Sequence, residues 1–166
     1  MERKETTLRT LRFVTCGLAL LLVPLLAGGV RADMKSGGHK MVAPGELNWA
    51  DSPSLPPGSK IAVIEGNLKE AVPFTFRIKF PADAKVAVHT HPVTERVTVV
   101  SGAFHLGIGD KFEPSKATAL KPGSVAIMEP GVSMFAFTKE ETVIQLHGVG
   151  PWGIHYLNPA DDPAKK

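Results

Sequence analysis

The chain has 166 residues, of which 43% are hydrophobic and 21% charged, and its formal net charge at pH 7 is +3. This length supplies one domain, and this hydrophobic content supplies its core. The excess positive charge lies in residues 1–32, which carry five basic and two acidic residues, whereas the remainder has fourteen of each. The remainder has no basic patch with interleaved aromatic residues, which argues against a nucleic-acid partner.

Residues 1–32 have the pattern of a signal peptide. A basic start is followed by an apolar run from Phe13 to Val30, and small residues then lead up to Ala32. We therefore expect export to the periplasm or the cell exterior, with cleavage after Ala32 and no membrane contact afterwards. The alternative is an uncleaved membrane anchor, but a proline and two glycines interrupt the run. Because Cys16 is the only cysteine, the mature chain has no disulfide and no thiolate ligand.

The rest of the chain divides into a lead-in, a folded domain and a tail. Residues 33–45 are polar and contain a glycine pair, which is typical of a flexible segment. Residues 46–157 carry the apolar runs of a domain, and residues 158–166 form a C-terminal tail. We expect a first short strand over 46–49 and a last strand over 153–157.

Short alternating runs predict that this domain is all β. Residues 74–80 read Phe-Thr-Phe-Arg-Ile-Lys-Phe, with apolar side chains on one face and polar side chains on the other. Similar runs recur at about ten-residue spacing, and the Pro-Gly pairs at 122–123 and 130–131 mark tight turns. The only helix candidate is a short turn near Pro114. We therefore predict an antiparallel sandwich or barrel.

The candidate chemistry lies in residues 89–102. His89 and His91 are two apart, so on a strand both imidazoles point to one face. Pro92 interrupts the strand, and Glu95 begins a second, β-branched run. If the two runs pair antiparallel, the Glu95 carboxylate lies on the neighbouring strand, near the imidazoles. Two imidazoles and one carboxylate are a ligand set for a divalent transition metal with open coordination positions.

The spacing of this stretch resembles the first motif of the cupin superfamily: Gly, five residues, His-x-His, three or four residues, Glu, six residues, Gly. Asp83 stands where the leading glycine would be. The resemblance, to small bacterial single-domain cupins of type 2, covers about residues 60–157. It implies an all-β jelly roll, or double-stranded β-helix barrel. The residues at the motif's other positions are His89, His91, Glu95 and Gly102.

The second cupin motif is only partly present. Gly123 and Gly131 hold their positions, but Glu129 occupies the usual place of the proline. Met134 stands in place of the last histidine ligand, and Thr138 in place of the asparagine. A thioether is a weak, neutral donor that suits Cu(I) far better than Mn, Fe or Zn.

The resemblance implies one divalent ion, Fe, Mn, Zn or Ni, with Cu less favoured, and water or substrate completing its coordination. His147 offers a replacement ligand if Gln145 and His147 turn their strand face towards the pocket beside Met134; otherwise it is a hydrogen-bonded histidine. Glu129, Gln145 or His147 would then orient a substrate. The implied metal ligands are His89, His91 and Glu95.

Functions from two classes agree with this pattern. The first is an enzyme: a metal-dependent dioxygenase, isomerase or lyase acting on a small molecule, with the ion as Lewis acid or oxygen-binding centre. The second is a non-catalytic cupin that binds a small ligand, with a weakened or lost metal site. A third reading is a periplasmic copper binder that uses Met134 with the histidines. Since cupins commonly pair through an edge strand, a homodimer is the expected assembly.

Overall fold

The computed structural model describes residues 39–166, which form two antiparallel β-sheets. This part of the chain contains eleven strands and four short 3-10 turns, and none of it is α-helical. The predicted signal peptide, residues 1–32, lies outside the described residues. The 3-10 turns are Pro44–Glu46, Pro114–Lys116, Pro159–Asp161 and Pro163–Lys165. The strands are β1 (Ala50–Asp51), β2 (Lys60–Glu65), β3 (Pro73–Phe80), β4 (Lys85–Thr90), β5 (Glu95–Ser101), β6 (Phe104–Ile108), β7 (Thr118–Leu120), β8 (Val125–Met128), β9 (Met134–Thr138), β10 (Thr142–Val149) and β11 (His155–Tyr156).

The two sheets differ in size and strand order. Sheet A has six strands in the order β1-β2-β3-β10-β5-β8, and sheet B has five in the order β11-β4-β9-β6-β7. Every paired neighbour is antiparallel. All of these strands belong to one compact unit, Lys40–Lys166. The prediction of an all-β antiparallel sandwich or barrel is confirmed.

The inner faces of the two sheets share one hydrophobic core. Strand β3 alternates as predicted, with its four even-numbered residues buried and the others half-buried or exposed. Buried residues of β5, β6, β9 and β10 belong to the same core. Removing one phenylalanine or leucine side chain from water contributes roughly 1.5–3 kcal/mol to folding, so these alternating strands are stable only when the sheets face each other. The largest buried side chains include Phe74, Phe76, Phe135 and Leu146.

Strands β4 and β5 do not pair, so Glu95 does not lie on the strand next to the two histidines, as it would if the two runs paired. β4 lies between β11 and β9 in sheet B, whereas β5 lies between β10 and β8 in sheet A. Residues 91–94 cross from one sheet to the other, and Pro92 in this crossing has no backbone N–H to offer a ladder. A hairpin and a crossing have the same sequence pattern, since both need two β runs with a break between them. Glu95 therefore meets His91 across the interior of the sandwich.

The expected first strand over 46–49 is wrong. The chain makes a 3-10 turn at Pro44–Glu46, and the first strand begins later, at Ala50. Proline is favoured at the first position of a helical turn because its missing N–H is not needed there. The Glu46 carboxylate also accepts a hydrogen bond from the Ala43 N–H (2.7 Å), which closes the turn.

The other end of the domain follows the prediction more closely. A last strand was expected over 153–157, and β11 forms its centre. The predicted turn near Pro114 is the 3-10 turn that begins at that residue. Within residues 39–166, no helix has the length and apolar character needed to cross a membrane.

Two turn positions of the first motif have left-handed backbone conformations. Gly102 has φ +75°, and a Cβ added there would lie 2.9 Å from the Thr142 Cα, so the position excludes a side chain. Asp83, which replaces the leading glycine, has φ 59°. Aspartate is one of the few residues that tolerate this conformation. The substitution therefore preserves the turn that precedes β4.

Candidate metal centre

His89 and His91 project into the interior between the sheets. β4 is bulged between Val86 and His89, which shifts its alternation, so that Val86, His89 and His91 line one cavity. Each of the two histidines is only 4% exposed. Their ring centroids lie 4.9 Å apart with an interplanar angle of 82°. The prediction that both imidazoles share one side is confirmed.

Both histidines use Nδ1 to bond a backbone carbonyl. His89 Nδ1 lies 2.7 Å from the Ala87 carbonyl oxygen, and His91 Nδ1 lies 2.6 Å from that of Gly153. A carbonyl only accepts, so each Nδ1 carries the proton and each neutral ring keeps its lone pair on Nε2. Burial, followed by the proximity of His91, lowers the pKa of His89 to about 4. His89 is therefore neutral at pH 7, with Nε2 available to an ion.

Glu95 faces His91 from the opposite sheet. Its side chain is buried, and its Oε1 accepts a hydrogen bond from the Trp152 indole N–H (2.8 Å). Its Oε2 lies 3.3 Å from His91 Nε2. Burial raises the pKa of Glu95, while His91 and the Trp152 hydrogen bond partly oppose the rise. Because His91 Nδ1 already donates to Gly153, a hydrogen bond between His91 and Glu95 requires one further proton, shared between Nε2 and Oε2.

A C-terminal strap, residues 150–156, covers this polar end of the cavity. Trp152 stacks on His91 with ring centroids 5.7 Å apart and meets Phe76 edge-on at 4.9 Å. The backbone N–H of Trp152 donates to the Leu68 carbonyl (2.7 Å), which fixes the strap to the domain. The strap therefore supplies the indole that holds Glu95 and the Gly153 carbonyl that orients His91. Sequence reasoning missed Trp152, since nothing local links it to a carboxylate on a distant strand.

Met134 lines the same cavity from strand β9. It is the register partner of His89 on the adjacent strand, and only 2% of it is exposed. Both residues belong to the cavity lining, together with His91 and Glu95. The position expected to hold a third histidine thus faces the cavity. In this chain the residue at that position is Met134, whose side chain carries a thioether.

The cavity is small and mostly apolar. The centre of a water molecule can occupy about 30 Å³ of it. That is room for two or three water-sized groups, since one needs roughly 10–15 Å³ on this measure. Away from His89, His91 and Glu95, the walls are aliphatic or aromatic. They include Ile78, Phe80, Val86, Leu106, Ile144 and Leu146.

Three residues expected at the pocket lie outside it. On β10 the buried residues are Thr142, Ile144 and Leu146, so Gln145 and His147 point to the outer face of sheet A. There Gln145 Oε1 accepts a hydrogen bond from Arg77 Nε (3.0 Å). Glu129 is exposed and accepts a hydrogen bond from the Thr94 hydroxyl (3.1 Å). The expectation that Gln145 and His147 line the pocket is corrected; the apolar pair Ile144 and Leu146 already indicated the buried face.

The arrangement of His89, His91 and Glu95 determines whether they can hold a transition-metal ion. Among residues 39–166, no group of three or more His, Cys, Asp or Glu side chains could hold a metal ion as they are arranged. Both oxygens of Glu95 are in contact with other side chains, one with Trp152 and one with His91. The chemistry of the donors nevertheless fits a transition metal, because two imidazoles held through Nδ1 and one carboxylate line the same cavity. The residues that would hold such an ion are His89, His91 and Glu95.

Comparison with solved structures identifies the fold. An RmlC-like cupin from Shewanella frigidimarina aligns with a TM-score of 0.53 at 19% identity, over 66% of this chain and 88% of that protein. The polyketide cyclase RemF from Streptomyces resistomycificus aligns with a TM-score of 0.60 at 12% identity, over 76% and 91%. A putative acetylacetone dioxygenase from Methylibium petroleiphilum aligns with a TM-score of 0.58 at 11% identity, over 75% and 85%.

These similarities extend over nearly the whole length of each compared protein, at identities that speak for the fold alone. The described part of the chain therefore has the cupin fold, as the spacing of the first motif implied. No protein-family model matches the sequence. No curated protein matches it either.

Proposed function

We propose that the barrel binds one transition-metal ion through His89 Nε2, His91 Nε2 and Glu95 Oε2. The observation that carries this proposal is the pair of Nδ1 bonds to backbone carbonyls, at 2.7 and 2.6 Å. Such bonds fix the tautomer and the ring orientation of metal-binding histidines. With Nδ1 satisfied on both rings, the cavity side of each ring offers only a lone pair.

The chain's own residues would tune such a centre. Trp152 holds one oxygen of Glu95, which leaves the other oxygen for the ion. The aliphatic walls and the strap exclude bulk water, and electrostatic interactions are stronger in such a medium. When bound, the ion supplies a Lewis acid or an oxygen-binding centre for a small substrate. The reaction class that we propose is that of a dioxygenase, isomerase or lyase.

The size of the cavity restricts the substrate. Space for two or three water-sized groups admits an ion with a small ligand. A larger substrate would have to displace the strap, whose Trp152 closes the polar end. The candidate enzyme therefore acts on a very small molecule or opens at residues 150–156.

A second candidate is a cupin that binds a small ligand without metal. It is favoured by the direct contact between His91 Nε2 and Glu95 Oε2 at 3.3 Å, which satisfies both groups with one proton. In this case His91 and Glu95 would donate hydrogen bonds to a polar ligand in the cavity and accept hydrogen bonds from it. The two candidates differ in whether a stoichiometric ion accompanies the folded protein.

Elemental analysis of protein expressed from the full chain tests the proposal. We expect about one transition-metal ion per chain, and His91→Ala should lower the ion's affinity by about a hundredfold or more because it removes a ligand. His147→Ala is the matched control, since His147 lies on the outer face of sheet A and should leave the metal content unchanged. The wild-type protein would be incubated with Fe(II), Mn(II), Zn(II), Ni(II) or Cu(I). If it retains none of these ions, the metal proposal fails and only the metal-free candidate remains.

Export is part of this proposal and is supported by the sequence of residues 1–32 alone. Mature protein recovered from the periplasm or the medium should begin at Asp33. Protein that keeps its N-terminus and sediments with membranes would instead indicate an anchor.

A further inference from the structure

We infer that Met134 makes the centre selective for Cu(I) over divalent ions. This inference rests on the proposed metal site and concerns the choice of ion. Its basis is the position of one thioether, the register partner of His89, in the same cavity as both imidazoles and the carboxylate.

The position of Met134 is fixed by the sheet. Its register opposite His89 brings the two Cα atoms to adjacent-strand distance, roughly 4.5–5.5 Å. Since Met134 is 2% exposed, its side chain has no route to solvent and remains in the interior. A methionine has three rotatable side-chain bonds beyond a fixed backbone, so the sulfur can adjust to an ion held by Nε2 of His89 and His91.

The donor set separates the two kinds of ion. Two imidazoles and a thioether form a soft, low-coordinate set, which suits Cu(I). Mn(II), Fe(II) and Zn(II) favour oxygen and nitrogen donors and gain little from a neutral sulfur. For these ions Met134 takes up a coordination position without strengthening binding. For Cu(I), the same side chain completes the site.

Charge balance favours the same ion. Glu95 is the only acidic residue in the cavity lining that the structure describes, and the walls around it are largely apolar. One carboxylate neutralises a monovalent cation, whereas a divalent cation leaves an uncompensated positive charge in a buried site. Uncompensated buried charge is strongly unfavourable. A divalent ion would therefore need a further anion, such as hydroxide, from the small remaining space.

An anaerobic titration of the full-chain protein against a competing Cu(I) chelator tests this inference, with a parallel titration of Zn(II). We expect Met134→Leu to weaken Cu(I) binding by about tenfold or more while Zn(II) binding changes by less than about twofold. Met41→Leu is the control. Met41 is 78% exposed and lies outside the cavity lining, so its variant should leave both affinities unchanged.

X-ray absorption at the copper edge gives a readout that does not depend on folding of a variant. The Cu(I)-loaded wild type should show sulfur in the copper coordination shell, and nitrogen or oxygen donors alone would overturn the inference. Met134→His should reverse the preference, with Zn(II) binding about tenfold tighter than in the wild type.

The outcomes separate this inference from the proposal on which it rests. Zn(II) binding that is lost in His91→Ala, together with Cu(I) binding that Met134→Leu leaves unchanged, would overturn the copper preference and retain the metal site. If the wild type binds neither ion, both proposals fail.

Discussion

The two arms of the centre make an instructive comparison. We call residues 83–102 the first arm and residues 123–138 the second arm, since each contains one half of the cupin pattern. The first arm presents both histidines and Glu95 to the cavity. The second arm keeps left-handed glycines, at φ 89° for Gly123 and 77° for Gly131, but presents Met134. The backbone path is thus retained in both arms, whereas the donor chemistry is retained in one.

The second arm also supports the first one structurally. The Thr138 hydroxyl donates to the Pro81 carbonyl (2.7 Å) and accepts from the Ala84 N–H (3.2 Å). These bonds bracket the left-handed turn at Asp83, which leads into β4. The residue in place of the motif's asparagine thus holds the turn that places His89.

The largest expected difference between the arms concerns their glycines. Gly102→Ala should lower the free energy of unfolding by about 3 kcal/mol or more, because left-handed strain adds to a steric clash. The added Cβ would lie 2.6 Å from Thr142 Oγ1 and 2.9 Å from the Thr142 Cα. Gly131→Ala, at a similar φ but with nothing within 4 Å of its Cβ, should cost only about 1 kcal/mol. Urea unfolding of both variants measures the difference; equal losses would contradict it.

An intermediate effect is expected from acidification of the metal-free protein. Folded His89 stays neutral down to a pKa of about 4, whereas an unfolded histidine takes up a proton near pH 6.5. The unfolded state therefore binds more protons in this window, and the stability due to His89 is lost as the pH falls. Between about pH 7 and about pH 5 the loss amounts to about 2 kcal/mol.

The variant His89→Gln isolates this contribution. Glu95 acts in the opposite direction, because its raised pKa means that the folded state binds the extra proton and loses stability as the pH rises through that pKa. The change in unfolding free energy on acidification is measured for the wild type and for His89→Gln, both with a chelator present. Because Glu95 contributes equally to both proteins, the difference between them reports His89. Equal losses of unfolding free energy on acidification would show that His89 takes up its proton in the folded state.

The smallest effect concerns the strap that covers the first arm. Trp152→Phe keeps an aromatic ring against His91 but removes the N–H that holds Glu95. We expect a loss of about 1 kcal/mol in unfolding free energy and a metal affinity lower by about tenfold, as for other residues that orient a ligand.

The matched control for this variant is Tyr156→Phe. It removes a strap hydrogen bond to the Ser54 carbonyl (2.9 Å) that does not involve the cavity donors. This variant should lose similar stability and keep its metal affinity. If both variants lower the affinity alike, the strap acts by general packing and Trp152 has no specific role in orienting Glu95.

Local patterns in the sequence predicted the strands and the shared side of the two histidines. The alternation of apolar and polar residues over 74–80 identified the buried face of β3, because this pattern lies within a single strand. The sequence left open whether β4 pairs with β5, since a crossing and a hairpin share one pattern, and the structure has a crossing. The inward face of β10 was left open, with Gln145 and His147 as possible pocket residues, and the structure turns Ile144 and Leu146 inward instead.

The part of the site that could not be predicted depends on contacts between distant residues. Trp152 and Glu95 are separated by 57 positions, and no periodicity connects them. The same holds for the Gly153 carbonyl that orients His91. The cupin resemblance covered these residues without assigning them a role, because its two motifs end before the strap begins.

The strap has a consequence for the order in which the protein matures. Its indole and carbonyl come from residues 152 and 153, after every other strand that lines the cavity has been made. A ribosome-bound chain that has not yet released this segment has both histidines but neither the group that orients His91 nor the one that restrains Glu95. If the proposed centre holds an ion, that ion would therefore be held by a fully oriented donor set only after the strap has been synthesised.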